Sequence, residues 1–291
     1  MIYTLENETL RVKVATLGAE LQSIYSKATE KEYIWQPGAE LWNAHSILLF
    51  PTPGRIAHDR TIIGGKVYPA TMHGFAKEME FVAAEASKTR LVLDLASNEA
   101  TRFFLPYEFI FRVSFELRGE VLEQKLEVIN KDDKTIYFSV GAHPGFYCPI
   151  ELGETGDDYV LDFDKPQAIK ELVGEENTRL LTHEEKAWLN GTEKPLSEHF
   201  FDNGPCLLGN VKADTITLRS KKSGHFIEMG IKDFPFMCLW GLDTKMQIFC
   251  IEPWCGMSDY TDTDHVWEHR IGIEHADVGQ TFARTLTFRV G

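Results

Sequence analysis

The sequence predicts an all-β fold, either two packed sheets or a closed barrel, and three observations carry that prediction. Apolar and polar residues alternate with a period of two along segment after segment, as half-buried strands do. Short polar turns separate the segments, and only one stretch, 183–190, has a helical look. Strands with no helical layer to cover them must bury their apolar faces against one another. No Pro/Gly/Ser-rich linker divides the 291 residues and no repeat of fixed period occurs, so one large domain spanning 1–291 is expected. All-β domains often reach this length.

The alternation is clearest in "LRVKV" (10–14), "RLVLDLA" (90–96), "FIFRVSFEL" (109–117), "LEQKLEVIN" (122–130) and "TIYFSVGAH" (135–143). The polar pieces "RGE" (118–120) and "NKDDK" (130–134) between them suit a meander of antiparallel hairpins. Farther on, "DYVLDF", "TITLRS", "HFIEMGI", "MQIFCIEP" and "FARTLTFRV" continue the habit. The exception, "HEEKAWLN" at 183–190, is short, and the polar stretch around it reads as a surface excursion.

With 44 acidic against 30 basic residues the formal net charge is -14, which repels phosphate backbones and anionic headgroups. Nucleic acid and membrane are therefore not the expected partners. No run of about 18 apolar residues occurs, and "MIYTLENETL" lacks the basic and apolar stretches of an export signal. The five cysteines are scattered, odd in number and form no C-x-x-C pair. They read as reduced thiols of a cytoplasmic protein packed as small hydrophobes, and no metal site is expected.

Chemistry is expected where an ionisable group sits among backbone-restricting neighbours. "SVGAHPGFYCP" (139–149) sets His143 between Gly141-Ala142 and Pro144-Gly145; "LLFPTPGRIA" sets Arg55 after Pro53-Gly54; "YPATMHGFAKE" sets His73 before Gly74; "IFCIEPWCGMSD" sets Glu252 before Pro253-Trp254. Each reads as a strand-end turn. Glu252 follows an apolar run, and a carboxyl buried there has a raised pKa suited to proton transfer near neutrality. Each has an ordinary alternative: a glutamate paired to an arginine, or a histidine satisfied by a turn. Taken together, a carboxylate, two histidines and an arginine make up what acid–base chemistry on an uncharged polar substrate requires. Competing motifs are weak. "HDR" and "HEE" lack the second histidine of a zinc protease, "DYTDTDH" (259–265) reads as a solvated acidic turn, and no G-x-S-x-G is present.

As a set, "LGAELQSIYS", "LLFPTPGRI", "HGFAKEMEF", "LPYEFIFRVSFEL", "VINKDDKTIYFSVGAHPGF" and "IFCIEPWCGMSD" resemble the aldose 1-epimerase (galactose mutarotase-like) family, in its LacX-like bacterial branch. The resemblance implies a large antiparallel β-supersandwich with a concave sugar-binding face. It makes His143 the general acid at the ring oxygen and Glu252 the general base at the anomeric hydroxyl. Arg55 and His73 would hold the sugar. One departure stands out: where the family has a hydroxyl-gripping aspartate, "FFDNGPCLL" has Gly204, with Asp202 as its substitute, while Trp254 offers a stacking ring. The partner implied is a small-molecule sugar, no cofactor is needed, and the protein is a monomer or homodimer. Two other readings follow: a mutarotase for hexose 6-phosphates, and a sugar-binding regulatory module without turnover.

Overall fold

The computed structural model describes residues 1–38, 42–242 and 247–291. A four-stranded antiparallel sheet opens the chain, with β1 (Ile2–Glu6), β2 (Leu10–Ala15), β3 (Leu21–Ser26) and β4 (Lys31–Glu32). β5 (Ser46–Leu49) enters the main sheet, and β6 (Arg60–Ile63) with β7 (Lys66–Pro69) makes a separate ribbon. β8 (Val82–Ala86), β9 (Arg90–Ala96), β10 (Phe109–Arg118) and β11 (Val121–Asn130) form the predicted meander. β12 (Ile136–Phe138), β13 (Val140–Tyr147), β14 (Tyr159–Gly174), β15 (Leu181–Pro195) and β16 (Cys206–Gly209) follow. The remainder are β17 (Thr215–Ser220), β18 (Phe226–Gly230), β19 (Phe236–Leu242), β20 (Ile248–Cys255), β21 (Glu274–Ala276) and β22 (Thr281–Val290).

The main sheet is antiparallel and runs β5-β13-β20-β19-β16-β14-β17-β18-β22-β11-β10-β9-β8, with β15 paired to β14 and β12 to β21. Alternation decides which face each residue takes. In β10, Phe109, Phe111, Val113, Phe115 and Leu117 are buried while Ile110, Arg112 and Glu116 are not. The Phe111 ring stacks on Phe50 with centroids 4.4 Å apart, joining the sheet to the segment after β5. The fold is thus the expected all-β, largely antiparallel one.

Two expectations change. Residues 183–190 are not a helical excursion but part of β15, in register with β14 from Val160↔Pro195 to Gly174↔Leu181 through several bulges. Its buried anchors, Leu181 and Trp188, are two helical turns apart, but Glu184 and Glu185 fill the positions between them that a helical apolar stripe would need. The one α-helix among the described residues, α1 (Glu99–Arg102), was not legible as such. It is a single turn closed by a capping box, in which the Asn98 side chain accepts from the Ala100 and Thr101 N–H groups and Thr101 Oγ1 accepts from the Asn98 N–H. Among the described residues no helix is long and apolar enough to cross a membrane.

β20 is buried along its whole length because both of its faces are covered. Phe249, Ile251 and Cys255 point into the main core. Cys250 and Trp254 point the other way, into two smaller clusters that contain Leu49, Leu172, Leu207, Cys238 and Trp35, with Trp42 and Trp240 half-buried at their edges. Glu252 lies between Cys250 and Trp254 on that second face. All five cysteines are free and buried.

Candidate active site

β13 and β20 pair antiparallel with Gly141 opposite Trp254 and Gly145 opposite Cys250. Midway between those pairs, His143 and Glu252 face each other on the same side of the sheet, with Nε2 3.3 Å from Oε1. Pro144 and Pro253 have no N–H to give, and the ladder is interrupted over this section. On the flanking strands, Ile47 of β5 lies opposite His143 and Cys238 of β19 opposite Glu252.

Both residues are therefore in strand interiors, not on the strand-end turns expected from the neighbouring glycines and prolines. The glycines serve packing instead of turning. A Cβ on Gly141 would sit 2.9 Å from Trp254 Cδ1, and one on Gly145 would sit 2.6 Å from Trp42 Cζ3. Removing both side chains lets an indole close in on each side of the imidazole. Trp42 stacks on His143 with centroids 4.8 Å apart and planes 26° apart, and Trp240 meets the same ring edge-on at 5.7 Å.

His73 does occupy a turn, at φ 66°, with its ring perpendicular to His143 at 5.6 Å and 5.9 Å from Trp254. Its Nδ1 accepts from the Gly54 N–H (3.2 Å), and its own N–H donates to the Gly54 carbonyl (3.2 Å). The next residue, Arg55, is bolted to the loop after β20. Its N–H donates to Ser258 Oγ (3.0 Å), and its carbonyl accepts from the Asp259 N–H (2.9 Å). The Arg55 side chain is exposed, and among the described residues no carboxylate pairs with it.

Trp254 is buried beside the pair and forms part of its floor. Asp202 is exposed and bonded to His199 (3.0 Å); no contact joins it to the others. Against Gly204 lies the guanidinium of Arg179, 2.9 Å from where a Cβ would be.

Asp259 departs from the solvated acidic turn expected over 259–265. It is buried, pairs with Arg270 Nε at 2.9 Å, and accepts from the Ala57 N–H at 2.9 Å. Asp262 and Asp264 do fit that expectation, exposed and paired with His183 and His269. Trp42, Trp240 and Cys238 also escaped the sequence reading. Trp42 lies in a loop without periodicity, its only signal the side-chain space left by Gly145, and the other two fill ordinary apolar positions of a strand that carry no signal.

Burial dominates the electrostatics. It draws the His143 imidazole down to about 3 and pushes the Glu252 carboxyl well above its usual range, the latter opposed by the Cys238 thiol and the Trp254 indole. His73 is drawn well below its usual value by burial, then by repulsion from the protonated forms of His143, Lys77 and Arg55. The 3.3 Å contact pulls the pair the other way, toward imidazolium and carboxylate. Burial is the larger effect on each group, and either arrangement holds one proton between two groups, so the titration belongs to the pair.

Cavities of about 370 Å³ beside Val211, Phe234 and Arg284, and about 300 Å³ beside Lys31, Tyr147 and Ile150, lie away from this chemistry, which Trp42 and Trp240 cover. Among the described residues no group of three or more His, Cys, Asp or Glu side chains is arranged to hold a metal.

Comparison with known proteins gives a consistent answer. A family model described as aldose 1-epimerase matches residues 1–273. The plasmid-encoded protein LacX of Lactococcus lactis subsp. lactis is 30% identical over 278 residues, covering 93% of each chain. A galactose mutarotase related enzyme from Lactobacillus acidophilus superposes with a TM-score of 0.93 at 31% identity, over 100% of this chain and 97% of that one. A galactose mutarotase-like protein from Lactobacillus casei superposes with the same score at 27% identity, over 100% of both.

Proposed function

The chain belongs to the aldose 1-epimerase family, and on that premise we propose that it interconverts the α and β anomers of a free hexose by acid–base opening and reclosure of the sugar ring. The observation that carries the reading is the His143–Glu252 pair, 3.3 Å apart on one face of the sheet and closed off from water. In the proposed step His143 gives its proton to the ring oxygen while Glu252 takes the proton of the anomeric hydroxyl. The C1–O5 bond breaks, C1 becomes an aldehyde, rotation about C1–C2 turns its other face inward, and reversal of the transfers closes the ring as the other anomer.

This assignment makes sense of the opposed electrostatics. The resting pair is imidazole and carboxylic acid, the arrangement burial favours; the step starts from imidazolium and carboxylate, the arrangement their contact favours, which one proton shift from Glu252 to His143 supplies, and it ends back in the resting arrangement. The pair's net charge does not change, so a low-dielectric site pays no charging penalty for the step. His73 and Arg55 are proposed to hold the sugar hydroxyls, with Asp202 and Trp254 in lesser roles. Asp202 is the least supported, since its carboxylate is already engaged by His199. We take the active unit to be a single domain of residues 1–291 in the cytoplasm, where five buried free thiols stay reduced.

The test is polarimetry of freshly dissolved α-D-galactose, α-D-glucose and α-D-glucose 6-phosphate in a weakly catalytic buffer, with wild type, Glu252→Gln and His143→Asn. Wild type should speed the decay of rotation, and each variant should lose at least about 10²-fold, the usual share of one acid–base group. A preference for the phosphate would move the substrate to that class. Sugar binding without any acceleration would overturn catalysis in favour of a sugar-binding module.

A further inference from the structure

An imidazole that transfers protons is usually oriented by a hydrogen bond to its remote nitrogen, which also fixes the tautomer. His143 has none from any other residue: Nδ1 is buried without a hydrogen bond of ordinary geometry, and among the described residues only its own backbone comes near enough to act on it. Packing must hold the ring instead. Its face lies on Trp42 (4.8 Å, 26° between planes), and its edges meet Trp240 (5.7 Å, 72°) and His73 (5.6 Å, 86°).

Trp42 is itself built into place. The Trp35 indole N–H donates to the Trp42 carbonyl at 3.0 Å, and the edge of Trp240 meets the Trp42 ring at 5.8 Å. Gly145 leaves the space that the Trp42 ring fills. The end of the same loop is tied down where the Gly145 N–H donates to the His45 carbonyl (2.9 Å) and Glu20 accepts from the His45 N–H (2.8 Å).

We propose that Trp42 is a positioning residue: its indole, stacked on the imidazole, replaces the missing hydrogen bond by fixing the ring plane that aims Nε2 at Glu252 and at the reacting oxygen. This rests on the acid–base reading above. The titratable groups facing His143 are Glu252 from β20 and His73 from its turn. β5 contributes only Ile47, and β19 contributes Trp240 and, beyond Glu252, Cys238. Loss of the stack both frees the ring to rotate and opens it to water, so orientation and proton affinity change together.

The experiment compares wild type with Trp42→Phe, Trp42→Ala and Gly145→Ala, reading the His143 nitrogen shifts by NMR across pH alongside kcat and KM. Trp42→Ala should raise the His143 midpoint toward the ordinary value of about 6.5 and lower kcat on the order of 10²-fold, the usual effect of ångström-scale misplacement. KM should stay nearly unchanged. Trp42→Phe, which keeps a stacking ring, should retain most of both properties. Gly145→Ala, whose methyl would fall 2.6 Å from Trp42 Cζ3 and so displace the indole, should reproduce Trp42→Ala.

An unchanged His143 titration in Trp42→Ala, or Phe performing no better than Ala, would overturn the proposal. So would a KM effect without a kcat effect, since the indole would then be a sugar contact. Trp35→Phe removes the N–H to the Trp42 carbonyl, together with some of the buried indole's packing against Tyr147, while leaving Trp42 itself in place, and serves if Trp42→Ala does not fold; it should move the midpoint the same way, and no movement counts against the proposal. The titration needs no sugar, so it decides the role of Trp42 even if wild type turns over none. In that event the mutarotase reading fails by itself.

Discussion

Glu252, the proposed general base, carries a stability cost. Its folded pKa lies above the unfolded value of 4.5, so below pH 4.5 the carboxyl is protonated in both states and its burial is tolerated. As pH rises from there toward the folded value, only the unfolded chain releases the proton, and stability falls by up to about 1.4 kcal/mol per pH unit. Glu252→Gln should therefore melt higher than wild type by a margin that widens above pH 4.5; a constant margin would argue against a raised pKa. His143 works in the opposite window. With its pKa drawn down to about 3, it contributes stability that is present above 6.5 and lost as pH falls toward 3, a loss that His143→Asn should flatten. Asp259 acts only through structure. Replacing it with Ala strands the buried Arg270 guanidinium, and loss of one member of a buried pair costs about 3–5 kcal/mol, which thermal unfolding would register. The residue types of this site were legible because Glu252 and His143 interrupt apolar strand patterns. Asp259 was not, because a buried aspartate and a solvated one look alike until the partner, here eleven positions on, is known to fold back.

Strand elements were read where alternation was regular. β11 alternates along its whole length and β10 everywhere but at the buried Ser114; they pair residue for residue from Phe109↔Asn130 to Arg118↔Val121, and both are legible almost to their ends. β15 was missed because its bulges shift the register between Asp162/Gln167, Ile169/Lys170 and Leu172/Gly174, and each shift resets which face a residue takes. β13 reads as a strand from its sequence, but its glycines suggest the strand's end. The structure gives them a use inside it, and that use can be tested by Gly141→Ala. The new methyl would press on Trp254 Cδ1 at 2.9 Å and on the Pro253 carbonyl at 3.1 Å. Overpacking of this kind costs about 1–3 kcal/mol. A lowered melting temperature with a reduced kcat is expected, because the displaced indole borders the acid–base pair; a variant as stable and active as wild type would show that the space is not needed.

At the scale of the whole molecule, one antiparallel sheet carries the candidate site at one end of its strand order and the β8–β11 meander at the other. The all-β class followed from periodicity alone, but the strand order did not, because nothing local in the chain indicates that β13 lies between β5 and β20. Strand order is decided by long-range pairing of apolar faces, and many pairings satisfy the same alternation. β22 illustrates this and has a kinetic consequence. It lies between β18 and β11, bridging Val290 to Ile227 on one side and Arg289 to Val121 on the other. Until β22 docks, β18 and β11 are two unpaired edges, each a template for a neighbouring chain. Assembly must wait for a contact between residues some 160 positions apart, and such non-local pairing makes folding slow, on the scale of milliseconds to seconds or beyond. The vulnerable species for this protein is therefore a half-assembled sheet awaiting its last central strand, and dilution or a chaperone that shields strand edges should raise the yield of refolding more than any change at the candidate site.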